Sequence, residues 1–266
     1  MKKRIVGIAM AAVVVAASLA GCGGGSAETK AATGTAAAEA DTSAAERDTA
    51  AASETAAAGG GETLIVGFDA DFPPMGFMDS DGAYTGFDLE LAQEAAKRLG
   101  LEYVAQPISW DAKDMELETG NIDCIWNGFT ITGREDDYEW TEAYMANTQV
   151  FVVARDSGIK SQADLAGKVV ECQVDSSAEA ALKAAPELTA TFKELLTTAD
   201  YNSAFMDLEQ GAVDAIAMDV IVAGYQIQQR NADMVILEDS LSAEEYGVGF
   251  KKGNTELRDK VQAALE

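Results

Sequence analysis

The chain has 266 residues, with 19 Lys+Arg against 45 Asp+Glu, no histidine and a formal charge of −26. Without imidazole there is no Ser-His-Asp or Cys-His catalytic centre and no histidine-liganded metal site. The acidic excess also argues against nucleic acid as a partner, because a phosphate-tracking surface needs a basic stripe.

Met1-Lys2-Lys3-Arg4 is a short basic region, followed by an uncharged run from Ile5 to Gly21. A charged front on a run this short has the form of an exported leader, residues 1–21. The run ends in Leu19-Ala20-Gly21-Cys22, which resembles the bacterial lipobox. That resemblance implies cleavage before Cys22 and acylation of its thiol, including palmitate, which would anchor the protein to the cell membrane. An ordinary signal peptide with an incidental cysteine, or an uncleaved transmembrane anchor, are the alternatives. Removing residues 1–21 takes away three basic and no acidic groups, so the remaining charge is 16 − 45 = −29. Residues 22–61 are the cysteine and a stretch made mostly of Gly, Ala, Ser, Thr and Glu, without a large apolar side chain. Such a composition cannot offset its ordering entropy and reads as a flexible tether.

From Leu64 onward strand and helix patterns alternate, the signature of an α/β fold. Leu64-Ile65-Val66 is a short apolar strand. Phe87–Leu99 carries apolar residues at Leu91, Ala95 and Leu99, with Lys97 and Arg98 in its last turn and Gly100 beyond, which predicts an amphipathic helix. Ser161-Gln162-Ala163-Asp164 forms a capping-box pattern. Strand–helix units follow at Lys168–Val174 with Ser176–Ala185, and at Val213–Met218 with a helical pattern to Gln229. Leu117-Glu118-Thr119-Gly120-Asn121-Ile122-Asp123-Cys124-Ile125 is echoed 91 residues later by Leu208-Glu209-Gln210-Gly211-Ala212-Val213-Asp214-Ala215-Ile216. Each copy reads as a helix end, a glycine stop and a buried strand, so two lobes of similar construction are expected. Ligands of open α/β sheets sit beyond the carboxyl ends of strands, which singles out Trp126–Arg134 and Met218–Val220. Cys124 and Cys172 fall inside strands and read as buried thiols, a disulfide being the alternative. Acidic runs such as Glu135-Asp136-Asp137 and Glu244-Glu245 read as solvated faces.

The ordered set Gly67-Phe68-Asp69-Ala70-Asp71-Phe72-Pro73-Pro74, Gly86-Phe87-Asp88, Gly120-Asn121-Ile122-Asp123, Thr130-Ile131-Thr132-Gly133-Arg134, Asp164-Leu165-Ala166-Gly167-Lys168, Ser176-Ser177-Ala178-Glu179 and Val213-Asp214-Ala215-Ile216 with Asp219 resembles the extracytoplasmic solute-binding proteins, family 3, of amino-acid ATP-binding-cassette importers. The resemblance covers residues 62–266. It implies the two-lobed periplasmic-binding-protein type 2 fold, lobe 1 at 62–145 and 247–266, lobe 2 at 146–246, with crossings near Met145–Asn147 and Glu244–Tyr246. It also implies a monomeric binding module without metal or cofactor, which presents an amino acid to a membrane permease.

By the same resemblance Arg134 takes the ligand carboxylate through its planar fork, helped by Ser177, which follows a strand and opens a helix. Asp219 takes the α-ammonium, and Thr130 with the Gly128 carbonyl completes that shell. Phe72 and Trp110 match positions that pack against the ligand side chain, Asn127 is a further candidate, and Asp69 faces the side-chain end, favouring a polar, basic or amide-bearing amino acid over an acidic one. Trp126 reads as core. Asp175 stands where relatives usually have glycine, and its charge is expected to weaken anion binding unless it points away. Relatives usually continue beyond a helix beginning near Thr255, so a C-terminally truncated sequence is expected. An enzyme on the same fold, such as a dehydratase of cyclic amino acids, and a sensor or adhesion lipoprotein are the competing readings, because fold alone does not separate them.

Overall fold

The computed structural model describes residues 62–266; the leader, Cys22 and the tether lie outside these residues. In chain order, β1 (Thr63–Phe68), β2 (Asp71–Phe72), β3 (Gly76–Met78) and β4 (Tyr84–Thr85) lead to α1 (Phe87–Leu99) and β5 (Glu102–Pro107). A 3-10 turn at Trp110–Ala112, α2 (Lys113–Thr119), β6 (Cys124–Ile125) and β7 (Glu139–Trp140) follow. The long β8 (Met145–Ala154) then carries the chain into a second unit. This holds a 3-10 turn at Gln162–Leu165, β9 (Val169–Gln173), α3 (Ser177–Ala184), α4 (Pro186–Thr189), β10 (Glu194–Thr198), α5 (Tyr201–Gln210), β11 (Ala215–Asp219), α6 (Val220–Arg230) and β12 (Met234–Ile236). The return runs through β13 (Ser242–Tyr246) to β14 (Gly249–Phe250) and α7 (Thr255–Leu265).

Two open sheets result, of order β5-β1-β6-β14-β7 and β10-β9-β11-β8-β12, while β2-β3-β4 forms a small third sheet. Side chains on each strand alternate between faces. In β1, Leu64, Val66 and Phe68 enter one core with Leu89, Trp126 and Phe250, while Ile65 joins Trp110, Ile122 and Phe129 on the other side. In β8, Val150 and Val152 pack with Tyr201 and Phe205, and Phe151 and Val153 with Val170 and Cys172. Each lobe therefore has a two-sided core, and Phe72 and Met75 of lobe 1 join one face of that of lobe 2. The lobes are joined by the first half of β8 and by β13, which pair antiparallel from Met145↔Tyr246 to Gln149↔Ser242.

The repeated sequence is a repeated structure. Gly120 and Gly211 end α2 and α5 in left-handed conformations, at φ 76° and 71°, which glycine adopts without a Cβ penalty. Three residues on, Asp123 accepts the Ile65 N–H at 2.7 Å and Asp214 accepts the Val169 N–H at 2.9 Å. Each aspartate thereby ties its strand to the parallel neighbour in its own lobe. Helix α1 has the predicted bounds, but its buried face is Leu89, Ala92, Ala95 and Ala96; Leu91 and Leu99 are only partly covered. Small alanines let α1 approach α7, where Arg98 donates to the Ala264 carbonyl at 2.8 Å. Cys124 and Cys172 are buried free thiols in different lobes. Ser161 and Asp164 form the expected capping box.

Glu135, Asp136 and Asp137 are exposed, as their run predicts, but Glu244-Glu245 divides. Strand alternation sends Glu245 to solvent and buries Glu244 to 6% exposure. That carboxyl is buried against Asn147 and Gln149 rather than on a solvated face.

Candidate functional site

The segments after the strands of both lobes converge on one crevice. From lobe 1 it is lined by Asp69 and Phe72 beside β2, by Trp110 opening a 3-10 turn, and by Asn127, Gly128, Thr130 and Arg134 in the segment after β6. From lobe 2 come Ser177 at the start of α3 and Asp219 at the end of β11. All nine residues singled out from the sequence face this one cavity. Gln173 and Ser176 line it too; Gln173 ends β9, so the rule that pointed to strand ends also applied there.

The chemistry is sorted by lobe. Arg134 is half-buried, with its guanidinium 5.3 Å from the Phe129 ring. It donates only to backbone, to Thr130 O at 3.3 Å and Asp175 O at 3.4 Å, and no carboxylate pairs with it among the described residues. Its fork is therefore held by weak contacts and keeps bidentate donor capacity. Nearby, Asn127 Nδ2 and Thr130 Oγ1 are buried without a hydrogen-bond partner among the described residues. Buried polar groups normally find partners, so these two give the crevice polar capacity that the protein itself does not use.

Gly128 sits at φ +58°, and a Cβ there would come within 3.1 Å of Phe72 and 3.3 Å of Tyr246. Its N–H donates to Asp88, which also accepts the Tyr144 hydroxyl at 2.9 Å. Burial pushes the Asp88 carboxyl up to about 7. Asp69 is buried to 7% exposure; its carboxylate accepts the Asp71 N–H at 2.8 Å and Gln173 Nε2, across the crevice, at 2.6 Å. Desolvation outweighs those bonds and raises Asp69 to about 6.

On the lobe 2 side Asp219 is 2% exposed and accepts from Asn147, Gln149 and Tyr246 at 2.6–2.8 Å. Burial, followed by the neighbouring Glu244 carboxylate, pushes it up to about 8. The α3 cap belongs to Ser176, whose hydroxyl accepts the Glu179 N–H at 3.1 Å. The Ser177 hydroxyl instead accepts Gln149 Nε2 at 2.9 Å, so Ser177 faces the crevice without serving as the N-cap.

Asp175 takes the left-handed φ of +56° that glycine would take freely. Its carboxylate pairs across the lobes with Lys113, whose side chain is 2% exposed. Asn202 Nδ2 reaches Asp71 at 2.7 Å, and the rings of Phe72 and Tyr201 lie 5.9 Å apart. The structure is thus a closed form, latched by an ion pair between the lobes. The Lys113 ammonium thereby offsets the charge of Asp175. Lys113 was not foreseen, because a lysine on a short helix reads as solvated until the facing lobe covers it.

Two α/β lobes on paired hinge strands, closed around one polar crevice, define a two-lobed solute-binding protein. The chain belongs to the bacterial extracellular solute-binding proteins, family 3, whose model matches residues 64–266. It is 32% identical over 206 residues to the L-cystine-binding protein TcyJ of Escherichia coli, covering 76% of each chain. Among solved structures it is 36% identical, with TM-score 0.74, to an ABC uptake transporter substrate-binding protein from Streptococcus pneumoniae with bound histidine, over 76% of this chain and 85% of that one. It is 34% identical, with TM-score 0.69, to the ancestral amino acid-binding protein AncCDT-1, a precursor of cyclohexadienyl dehydratase, over 76% of this chain and 88% of that one. Its relatives are amino-acid-binding proteins of ATP-binding-cassette importers.

Proposed function

We propose that this protein captures a polar amino acid, with a basic or amide side chain, by closing its two lobes and delivers it to an ATP-binding-cassette permease. The observation that carries this reading is that a half-buried arginine of lobe 1 and a buried aspartate of lobe 2 face the same crevice. A zwitterion would bridge them, and only the closed state offers both contacts, so binding and closure are coupled by differential affinity. Arg134 takes the carboxylate with the help of Ser177. Asp219, Thr130 and the Gly128 carbonyl take the ammonium, and Phe72 and Trp110 pack on the side chain. Asp69, Gln173 and Asn127 present both acceptors and donors to its far end.

A thermal-shift screen of the twenty amino acids with cystine and ornithine tests the reading. At one hundred times Kd the true ligand adds about 2.7 kcal/mol to stability; no shift with any of them removes the transport role. AncCDT-1 and the raised Asp219, a potential general acid, favour an enzyme as the second reading. Recovery of a chemically altered ligand after incubation would select it.

The leader and Cys22 support lipid anchoring outside the cell membrane, with residues 22–61 as the tether. In cells, Cys22→Ser is expected to shift the protein from the membrane fraction to the soluble one and to end fatty-acid labelling. Unchanged labelling would refute acylation at this residue.

A further inference from the structure

Glu244 does not line the crevice; it stands behind Asp219 on hinge strand β13. The Asn147 side-chain amide donates to Asp219 Oδ1 at 2.7 Å and to Glu244 Oε1 at 2.6 Å. Gln149 Nε2 donates to the same two oxygens, both at 2.8 Å. Two buried carboxyls therefore lie side by side, 2% and 6% exposed, and neither joins an ion pair among the described residues. A buried carboxyl beside another carboxylate, with no countercharge, resists ionisation, so Asp219 holds its proton well above the ordinary carboxyl range.

Resting on the amino-acid reading above, we propose that Glu244 is a positioning residue of the ligand site: its carboxyl beside Asp219 keeps a proton on Asp219, and the arriving ammonium displaces that proton to solvent. The balance is simple. The carboxyl O–H breaks, the proton leaves to water, and the freed Asp219 carboxylate receives the cation. Titration near pH 8 for Asp219 places the exchange in the neutral range. An adjacent cation lowers a carboxyl pKa by about 1–3, so affinity rises with pH up to that point.

The other titratable groups facing Asp219 are Tyr246 and Tyr201, both held neutral well above this range, with Arg134 across the crevice. Asp69 lines the same cavity and titrates near 6, so its own contribution is concentrated below pH 7. The remaining contacts to Asp219, from Asn147 and Gln149, are neutral.

The test is calorimetry on the whole protein with the amino acid giving the largest thermal shift, run beside L-glutamine and L-arginine. Kd should tighten about tenfold from pH 6 to pH 8. The heat at pH 7 should differ between phosphate and Tris buffers, in the sense of proton release. In Glu244→Gln the carboxamide still accepts from Asn147 and Gln149, while Asp219 loses its repelling neighbour. That variant should bind more tightly at pH 6 than the parent, with a flatter pH profile and less buffer-dependent heat. Equal weakening at every pH would mark Glu244 as merely structural and overturn the proposal. Should Glu244→Gln not fold, the parent's pH profile decides, since tight binding without pH or buffer dependence also overturns it. No binding by any probe removes the amino-acid reading and this inference together, so the two failures are distinct.

Discussion

Arg134→Ala is expected to weaken amino-acid binding by at least about 100-fold, because it strips the crevice of the proposed carboxylate partner. Truncating one member of a buried, hydrogen-bonded charge pair costs roughly 2–5 kcal/mol, and about 3 kcal/mol corresponds to two decades in Kd. The fold should barely notice. The guanidinium bonds run to two backbone carbonyls at 3.3 and 3.4 Å, and the contact that Arg134 makes with Trp140 uses its backbone carbonyl, at 2.9 Å. Arg134→Lys keeps the charge and loses the fork, so its affinity should lie between parent and Ala variant. Calorimetry with the ligand found by screening, beside a thermal melt without ligand, separates the two effects. Micromolar affinity retained in Arg134→Ala would show that the carboxylate is held elsewhere.

The legibility of this site in the sequence follows the range of the interactions involved. Helix α1 was readable because its ends are local: Lys97 and Arg98 in the last turn and Gly100 in the left-handed cap position. The face it buries was not, because the choice of Leu89, Ala92 and Ala96 over Leu91 depends on which strands and which helix approach it. Arg134, Asp219 and Asn127 follow strand ends, and chain order with the two-lobe echo brought them together. Gln173, Lys113 and Asp175 draw their roles from contacts across the crevice, between residues 62 to 104 positions apart, which periodicity does not register. Glu244 was misread for a related reason. Beside Glu245 it resembles a solvated acidic run, and only its pairing with Asn147 across the hinge strands decides that it points inward.

The ligand-free protein is expected to be markedly more stable at pH 5 than at pH 8. Three buried aspartates carry the effect: Asp69, Asp88 and Asp219 hold their protons to about 6, 7 and 8 when folded, against an ordinary carboxyl value of 3.8. Burial is the first cause in each, since it penalises the charged form. As pH rises from 5 to 8 the unfolded chain has already ionised these groups, whereas the folded chain still binds protons on them. Where the folded state binds more protons, stability falls as pH rises. Each proton that only the folded chain retains costs about 1.4 kcal/mol for every step of one in pH, so the three together amount to several kcal/mol across this window. That is equivalent to a Tm lower by about 10 °C or more at pH 8. The acidic groups moved in the opposite direction, Glu94, Glu135 and Asp164, have their pKa values lowered, so they lose their contribution only below the window. Self-repulsion of a chain at −26 adds in the same direction as the buried acids. Asp88→Asn separates the contributions. The amide can still accept the Gly128 N–H without burying a charge, so the variant should gain stability at pH 8 and show a flatter slope between pH 5 and pH 7. A thermal melt in steps of half a pH unit reads both effects, and a Tm at pH 8 equal to or above that at pH 5 would show that these carboxyls ionise in the folded protein as readily as in the unfolded chain.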